Sequence, residues 1–167
     1  MTEVEEQIDG CKYLFLAEIQ ELGGNRLRIV VQQGTPASKP RTIAVGESSI
    51  ADGTPIEVTS ESASFEIEWP GYVAYAVLNE SYACQPDAEQ WYTGRRFRIY
   101  AKSHFRDYLL QSTFATNEFP GLLRHYEICC EDQIVNVVST FSPRITVTVT
   151  PGPEQRKPFR MQSLGTS

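Results

Sequence analysis

Reactive side chains are scarce in this sequence. Only two histidines, His104 and His125, and four cysteines occur in 167 residues. The cysteines are Cys11, Cys84, Cys129 and Cys130; they form no C-x-x-C pair, and the paired spacings of zinc motifs are missing. Cys129 and Cys130 are adjacent and poorly placed to bridge each other, so reduced thiols in a cytoplasm are the simpler expectation. No G-x-S-x-G nucleophile elbow and no phosphate-cradling G-x-x-x-x-G-K is present; "GGN" at 23–25 reads as a hairpin turn. "MTEVEEQIDG" lacks the apolar centre of a signal peptide, and no run reaches the ~18 apolar residues of a membrane span. The net charge of −6 argues against nucleic acid or an anionic membrane as a partner of the whole surface. Neither a cofactor nor a metal is called for.

What the chain does have is hydrophobicity at the strand period. In "SASFEIEW", Phe65, Ile67 and Trp69 alternate with Ser64, Glu66 and Glu68, which predicts a strand with one wet face. "YVAYAVLN" follows a Pro-Gly turn, and the two runs read as a hairpin. "CKYLFLAEIQ" and "NRLRIVVQQ" make another, and "RFRIYAK", "RHYEICC", "QIVNVVST" and "RITVTVT" add further strands. One segment reads as helix: Phe105, Tyr108, Leu109 and Ser112 share a side at i, i+3, i+4, i+7, and Ser103 is a suitable N-cap. The expected fold is all-β, a two-sheet β-sandwich or distorted barrel of about 8–9 strands with one short helix over about 103–113. The expected organisation is an acidic extension over 1–10, one β-rich domain over 11–150, and a flexible, proline-containing tail over 151–167.

Charge is distributed unevenly. Between Arg41 and Arg95 there is no Lys or Arg, although nine acids lie there, from Glu47 to Glu89. From Arg95 to Arg106 the pattern reverses to five bases and no acid. Strand parity puts Phe97, Ile99 and Ala101 inward, and Arg96, Arg98, Tyr100 and Lys102 on the outward face. That stripe runs into a helix N-terminus at Ser103, where free N–H groups favour an anion. His104 and Arg106 add to it. A negative group is therefore expected over Arg96, Arg98, Tyr100, Lys102, Ser103, His104 and Arg106. It could be an external anionic small molecule or partner protein, or the chain's own acids, with Glu66 and Glu68 facing Arg96 and Arg98 across neighbouring strands.

Catalytic readings are weaker. On a strand "RHYEICC", His125, Glu127 and Cys129 face one way and Tyr126, Ile128 and Cys130 the other, so a hydrolase site or metal site would collect His125, Glu127 and Cys129 with His104 or Asp107. Yet His125 lies ~13 Å from Cys129 along a strand, at about 3.3 Å per residue, too far for a thiol–imidazole dyad. The long polar connection 79–94 holds Tyr82, Trp91 and Tyr92, aromatics suited to contacting a ligand. These features point first to a non-catalytic binding or interaction protein. A hydrolase is the second reading. A homo-oligomeric module, acidic region against basic run, is the third.

Overall fold

In a computed structural model, residues 1–149 are described; the tail expected over 151–167 lies outside them. Two five-stranded antiparallel sheets pack face to face. The first contains β1 (Tyr13–Gly23), β2 (Arg26–Pro36), β6 (Ala63–Trp69) and β12 (Arg144–Val149) in that order, with β5 (Ile56–Glu57) added to β2. The second runs β7 (Ala74–Asn79), β11 (Gln133–Ser139), β10 (Arg124–Cys129), β9 (Phe97–Lys102) and β8 (Trp91–Thr93). A separate hairpin joins β3 (Arg41–Val45) and β4 (Ser48–Gly53). Neither large sheet closes on itself, so the fold is an all-β sandwich and not a barrel. The twelve strands among the described residues exceed the eight or nine expected because β5 and β8 are two- and three-residue pieces too short to show a period, and because the β3–β4 hairpin was not read as strands.

The core forms where the inward faces meet. Leu27, Ile29, Val31, Phe65, Ile67 and Trp69 of the first sheet pack against Phe97, Tyr126, Ile128, Val135 and Val137 of the second. Outward residues of the first sheet are polar and paired: Arg28 holds Glu18 at 2.9 Å and Glu66 at 2.6 Å, and Arg26 approaches Glu68 at 3.7 Å.

Two expected connections differ. β6 and β7 do not form a hairpin. β6 already has β2 and β12 on its two edges, so the chain crosses to the other sheet instead. The crossing is tied down by Tyr72 N–H donating to Asn25 O (2.8 Å), Val73 N–H to Val138 O (2.8 Å), and Ser139 Oγ to Gly71 O (2.6 Å). The same topology separates Glu66 and Glu68 from Arg96 and Arg98, which belong to different sheets; the cross-strand pairs expected between them do not form.

A second helix was not legible. The acidic start of the chain is α1 (Glu3–Asp9), closed by a Thr2–Glu5 capping box, and Ile8 enters the core. Only Val4 and Ile8 mark its apolar side, too little for a helical period over seven residues. Its last residue matters most. Asp9 Oδ1 accepts from the backbone N–H groups of Arg95, Arg96 (2.7 Å) and Phe97 (3.1 Å), which fixes the entry into β9. Partial burial disfavours the Asp9 carboxylate, but the three N–H donors outweigh it and hold its pKa below the ordinary value. Gly94 just before this grip has φ +91°, and a Cβ there would overlap the Phe97 carbonyl oxygen. Gly24 also has positive φ (+60°) but opens onto empty space. Gly94→Ala should therefore cost more than the about 1–3 kcal/mol of a strained φ alone, and more than Gly24→Ala. Urea unfolding midpoints of the two variants check this, and equal losses would show that the Asp9 turn is not tightly built.

Candidate functional site

The outward face of the second sheet is where the chemistry gathers. Register places Arg98, Glu127 and Asn136 side by side in one row, and Tyr100, His125 and Val138 in the next. The parity expected for β9 and β10 holds: Phe97 and Ile128 point to the core, and Arg98 and Glu127 away from it. This outward face is not open, however. Helix α2 (His104–Ser112) and the chain after it fold back over one end, burying Leu109, Ala115 and Leu123 against Val138. Ser103 is the N-cap as expected, but Tyr108 is exposed; Phe105, Leu109 and Leu110 make the packed side.

Two buried polar networks result. In the first, Asn136 Oδ1 can only accept, so His125 Nε2–H donates to it (2.9 Å) and Nδ1 of the neutral ring accepts from the Ser103 hydroxyl (2.7 Å). The Ser103 oxygen also accepts from Arg106 N–H (3.1 Å). The Asn136 amide is oriented by this chain through its oxygen. Burial disfavours the imidazolium and pulls His125 down to about 4, despite the pull of Asn136 and Glu127 in the other direction. Ser103 is completely buried and its oxygen occupied, so this Ser–His–Asn line is a structural relay from helix cap to sheet.

In the second network, Glu127 is the hub. Its Oε1 accepts from Arg98 Nη1 (2.7 Å) and Cys129 Sγ (3.4 Å), and its Oε2 from the Tyr100 hydroxyl (3.3 Å). Both side chains of the Arg98–Glu127 pair are largely buried, and the Tyr92 ring covers the guanidinium at 4.8 Å. Burial and then the Glu127 charge push Cys129 up to about 12; burial and then Cys129 do the same to Cys130. The Tyr100 hydroxyl is raised for the same reasons, burial first and Glu127 second. At neutral pH these thiols are protonated and make poor nucleophiles.

The expected basic stripe is thus largely answered from within the chain. Arg96 pairs with Glu131 (2.7 Å) and donates to the carbonyls of Lys12 and Cys129. His104 meets Asp87 (2.8 Å) on the surface, Arg106 approaches Asp107 (3.7 Å), and Lys102 is exposed with no carboxylate within 4.0 Å among the described residues. Tyr100 and Ser103 are buried and offer no surface. The hydrolase grouping also separates: His125, Glu127 and Cys129 share the buried face, whereas His104 stands apart with Asp87. Among the described residues no three His, Cys, Asp or Glu side chains are placed to hold a metal ion, and no helix is long and apolar enough to cross a membrane.

A cleft of about 340 Å³ opens beside the Glu127 network. One wall is the 3-10 turn Glu80–Tyr82 with Ala83, Cys84 and Gln85; the other is Arg95, Arg96 and Arg98. Glu127, Cys129, Ile134 and Asn136 form the floor, and Glu131 closes one end. Two parts of the expected region, the aromatic connection and the first bases of the run, meet here; Lys102 to Arg106 do not reach it. Sequence reasoning missed Asn136, Glu80 and Glu131, although Asn136 as the one polar residue inside "QIVNVVST" was a signal.

Compared with known proteins, the chain matches no family model, no curated protein and no solved structure.

Two outcomes follow from these networks. Glu127→Gln should leave Arg98 buried without a counter-charge and cost about 3–5 kcal/mol, measurable as a lower urea midpoint; an unchanged midpoint would mean the pair is not buried in solution. For His125, the unfolded chain takes up a proton below the ordinary pKa of 6.5, whereas the folded chain resists until about 4. The stabilisation is fully present above that window and falls with decreasing pH through it, by at most about 3 kcal/mol. His125→Gln should unfold more easily overall but show a shallower loss across the same range. Parallel slopes would exclude His125 as the source.

Proposed function

We propose that the protein is a non-catalytic binding module, with the cleft between the Glu80–Gln85 segment and the Arg95–Arg98 segment as its ligand seat. The observation that carries this reading is preorganisation. The Arg96 and Arg98 side chains on the wall are each held in one orientation by a carboxylate, and the Asn136 amide in the floor is oriented by His125. Pockets that bind small molecules commonly combine a fixed shape with a few converging polar groups. The ligand would be an anionic small molecule, or an acidic segment of a partner protein, that directs its negative group at this wall. The exposed Tyr82 ring at the rim adds contact area.

Protonated thiols and a His125 with both ring nitrogens engaged weigh against the hydrolase reading. A homo-oligomer built on acidic-against-basic contact is weakened as well, because Arg96 and Arg98 are already paired within the chain. The four cysteines are unpaired, which fits a reducing compartment such as the cytoplasm.

A thermal-shift panel of carboxylates, phosphates, nucleotides, amino acids and sugars tests this, since a ligand of the native state raises the melting temperature. At least one compound should do so, and Tyr82→Ala, a change at the rim, should weaken it without altering the melting temperature of the free protein. A ligand whose effect survives both Tyr82→Ala and Glu80→Lys would place the site elsewhere.

A further inference from the structure

Each large sheet has two edge strands, and they are guarded to different degrees. β1 carries two register shifts and the carboxylates of Glu18 and Glu21. β8 is three residues long and also shifted. Bulges, charges and shortness all keep an edge from pairing with another chain. β7 is regular, but on its side the Tyr75 hydroxyl donates to Glu21 of β1 (2.9 Å), which bridges the two sheets there.

β12 has none of these protections. Arg144–Val149 pairs with β6 residue for residue without a shift, contains no proline, and carries no charge after Arg144. Its other edge has no partner among the described residues. The side chains on its core side are uncovered as well. Ile145, Val147 and Val149 stand in register with Ile67, Phe65 and Ala63. Ile145 packs against the core, yet Val147 is 41% and Val149 69% exposed. Two valines on the inward face of a sandwich, beside an unpaired backbone edge, are missing a neighbouring strand.

The strand that fits this edge is its own copy. Laid antiparallel about Val147, Val147 meets Val147, Ile145 meets Val149, and Thr146 meets Thr148. Apolar residues then face apolar ones on the core side and threonines face threonines outside, pairings that stabilise antiparallel ladders. Arg144, the one charge, falls at opposite ends of the ladder in the two copies, so like charges never stand opposite each other. We propose that β12 pairs with β12 of a second copy of this chain, joining the first sheets of two sandwiches into one continuous sheet about a two-fold axis at Val147. Backbone hydrogen bonds and valine burial hold this contact, which sets it apart from an acidic region meeting a basic run. The cleft is lined from the second sheet and its turns, so the pairing leaves it open.

Sedimentation equilibrium of the full chain tests this. The mass should rise from one chain toward two as the protein is concentrated to roughly 0.1–1 mM, the range expected of a small, weak interface. It should do so equally in about 0.1 M and about 1 M salt, because no ion pair is involved. A single-chain mass throughout overturns the proposal, and so does association that high salt abolishes. The register is tested at two exposed positions on the outer face. Thr146→Lys with Thr148→Lys sets like charges opposite each other across the two-fold axis and should weaken the dimer. Thr146→Lys with Thr148→Glu sets opposite charges across the same pairs and should preserve it. At low salt the two double variants should differ about tenfold in dissociation constant, and equal association of both overturns the proposal. Circular dichroism checks that each is folded. Should the double-lysine variant lose its native spectrum, Val147→Lys, a charge on the axis facing its own copy, decides in its place: a dimer that survives it overturns the proposal.

Discussion

The Glu127 carboxylate sits between strands with almost no access to water, and the second sheet is arranged around that fact. A buried carboxylate is tolerable only when several donors replace its lost hydration. Arg98 supplies the charge, Tyr100 and Cys129 supply two more donors, and Tyr92 covers the guanidinium. Each of these side chains lies on β8, β9 or β10, so the network and the strand register require one another. A slip of one residue would turn Arg98 into the core and Phe97 out of it. Burial first, and the same carboxylate's charge second, keep the neighbouring Cys129 thiol protonated.

Asp9 performs a comparable task at the edge of this arrangement. One carboxylate oxygen gathers the backbone N–H groups at the start of β9, and Arg95 and Arg96 reach back to the carbonyls of Cys11 and Lys12. The first residues of the chain thereby set the direction in which the Arg95–Arg98 wall faces. With the Ser103–His125–Asn136 relay at the opposite side, the cleft is held by fixed groups from α1, α2 and three strands. Rigidity of that kind lowers the ordering cost of binding.

Much of this could be read along the chain. Alternation of Phe65, Ile67 and Trp69 with Ser64, Glu66 and Glu68 declared a strand with one wet face, and the parity of 125–130 correctly divided Glu127 and Cys129 from Ile128 and Cys130. The Ser103 cap and the Gly-Gly-Asn turn were equally plain, because both depend on neighbours within a few residues. Helix α1 escaped notice because a seven-residue helix shows scarcely two turns of any pattern, and its stability comes from Ile8 packing and Asp9 capping, partners distant in sequence. The β6–β7 crossover escaped for a related reason: nothing local to Pro70–Gly71 reveals that both edges of β6 are already taken.

By itself, then, the sequence determined the class of fold, the faces of the strands and the single longer helix, all of which follow from periodicity and short-range sterics. It also determined that bases would crowd between Arg95 and Arg106. Which acids answer those bases was decided only by the tertiary structure, since electrostatic pairing depends on distance in space and the partners lie about thirty residues away for Arg96 and Arg98. The stripe that looked like an open anion site is, in the fold, mostly a set of closed ion pairs. What it leaves open is a cleft whose arginines and glutamates are equal in number.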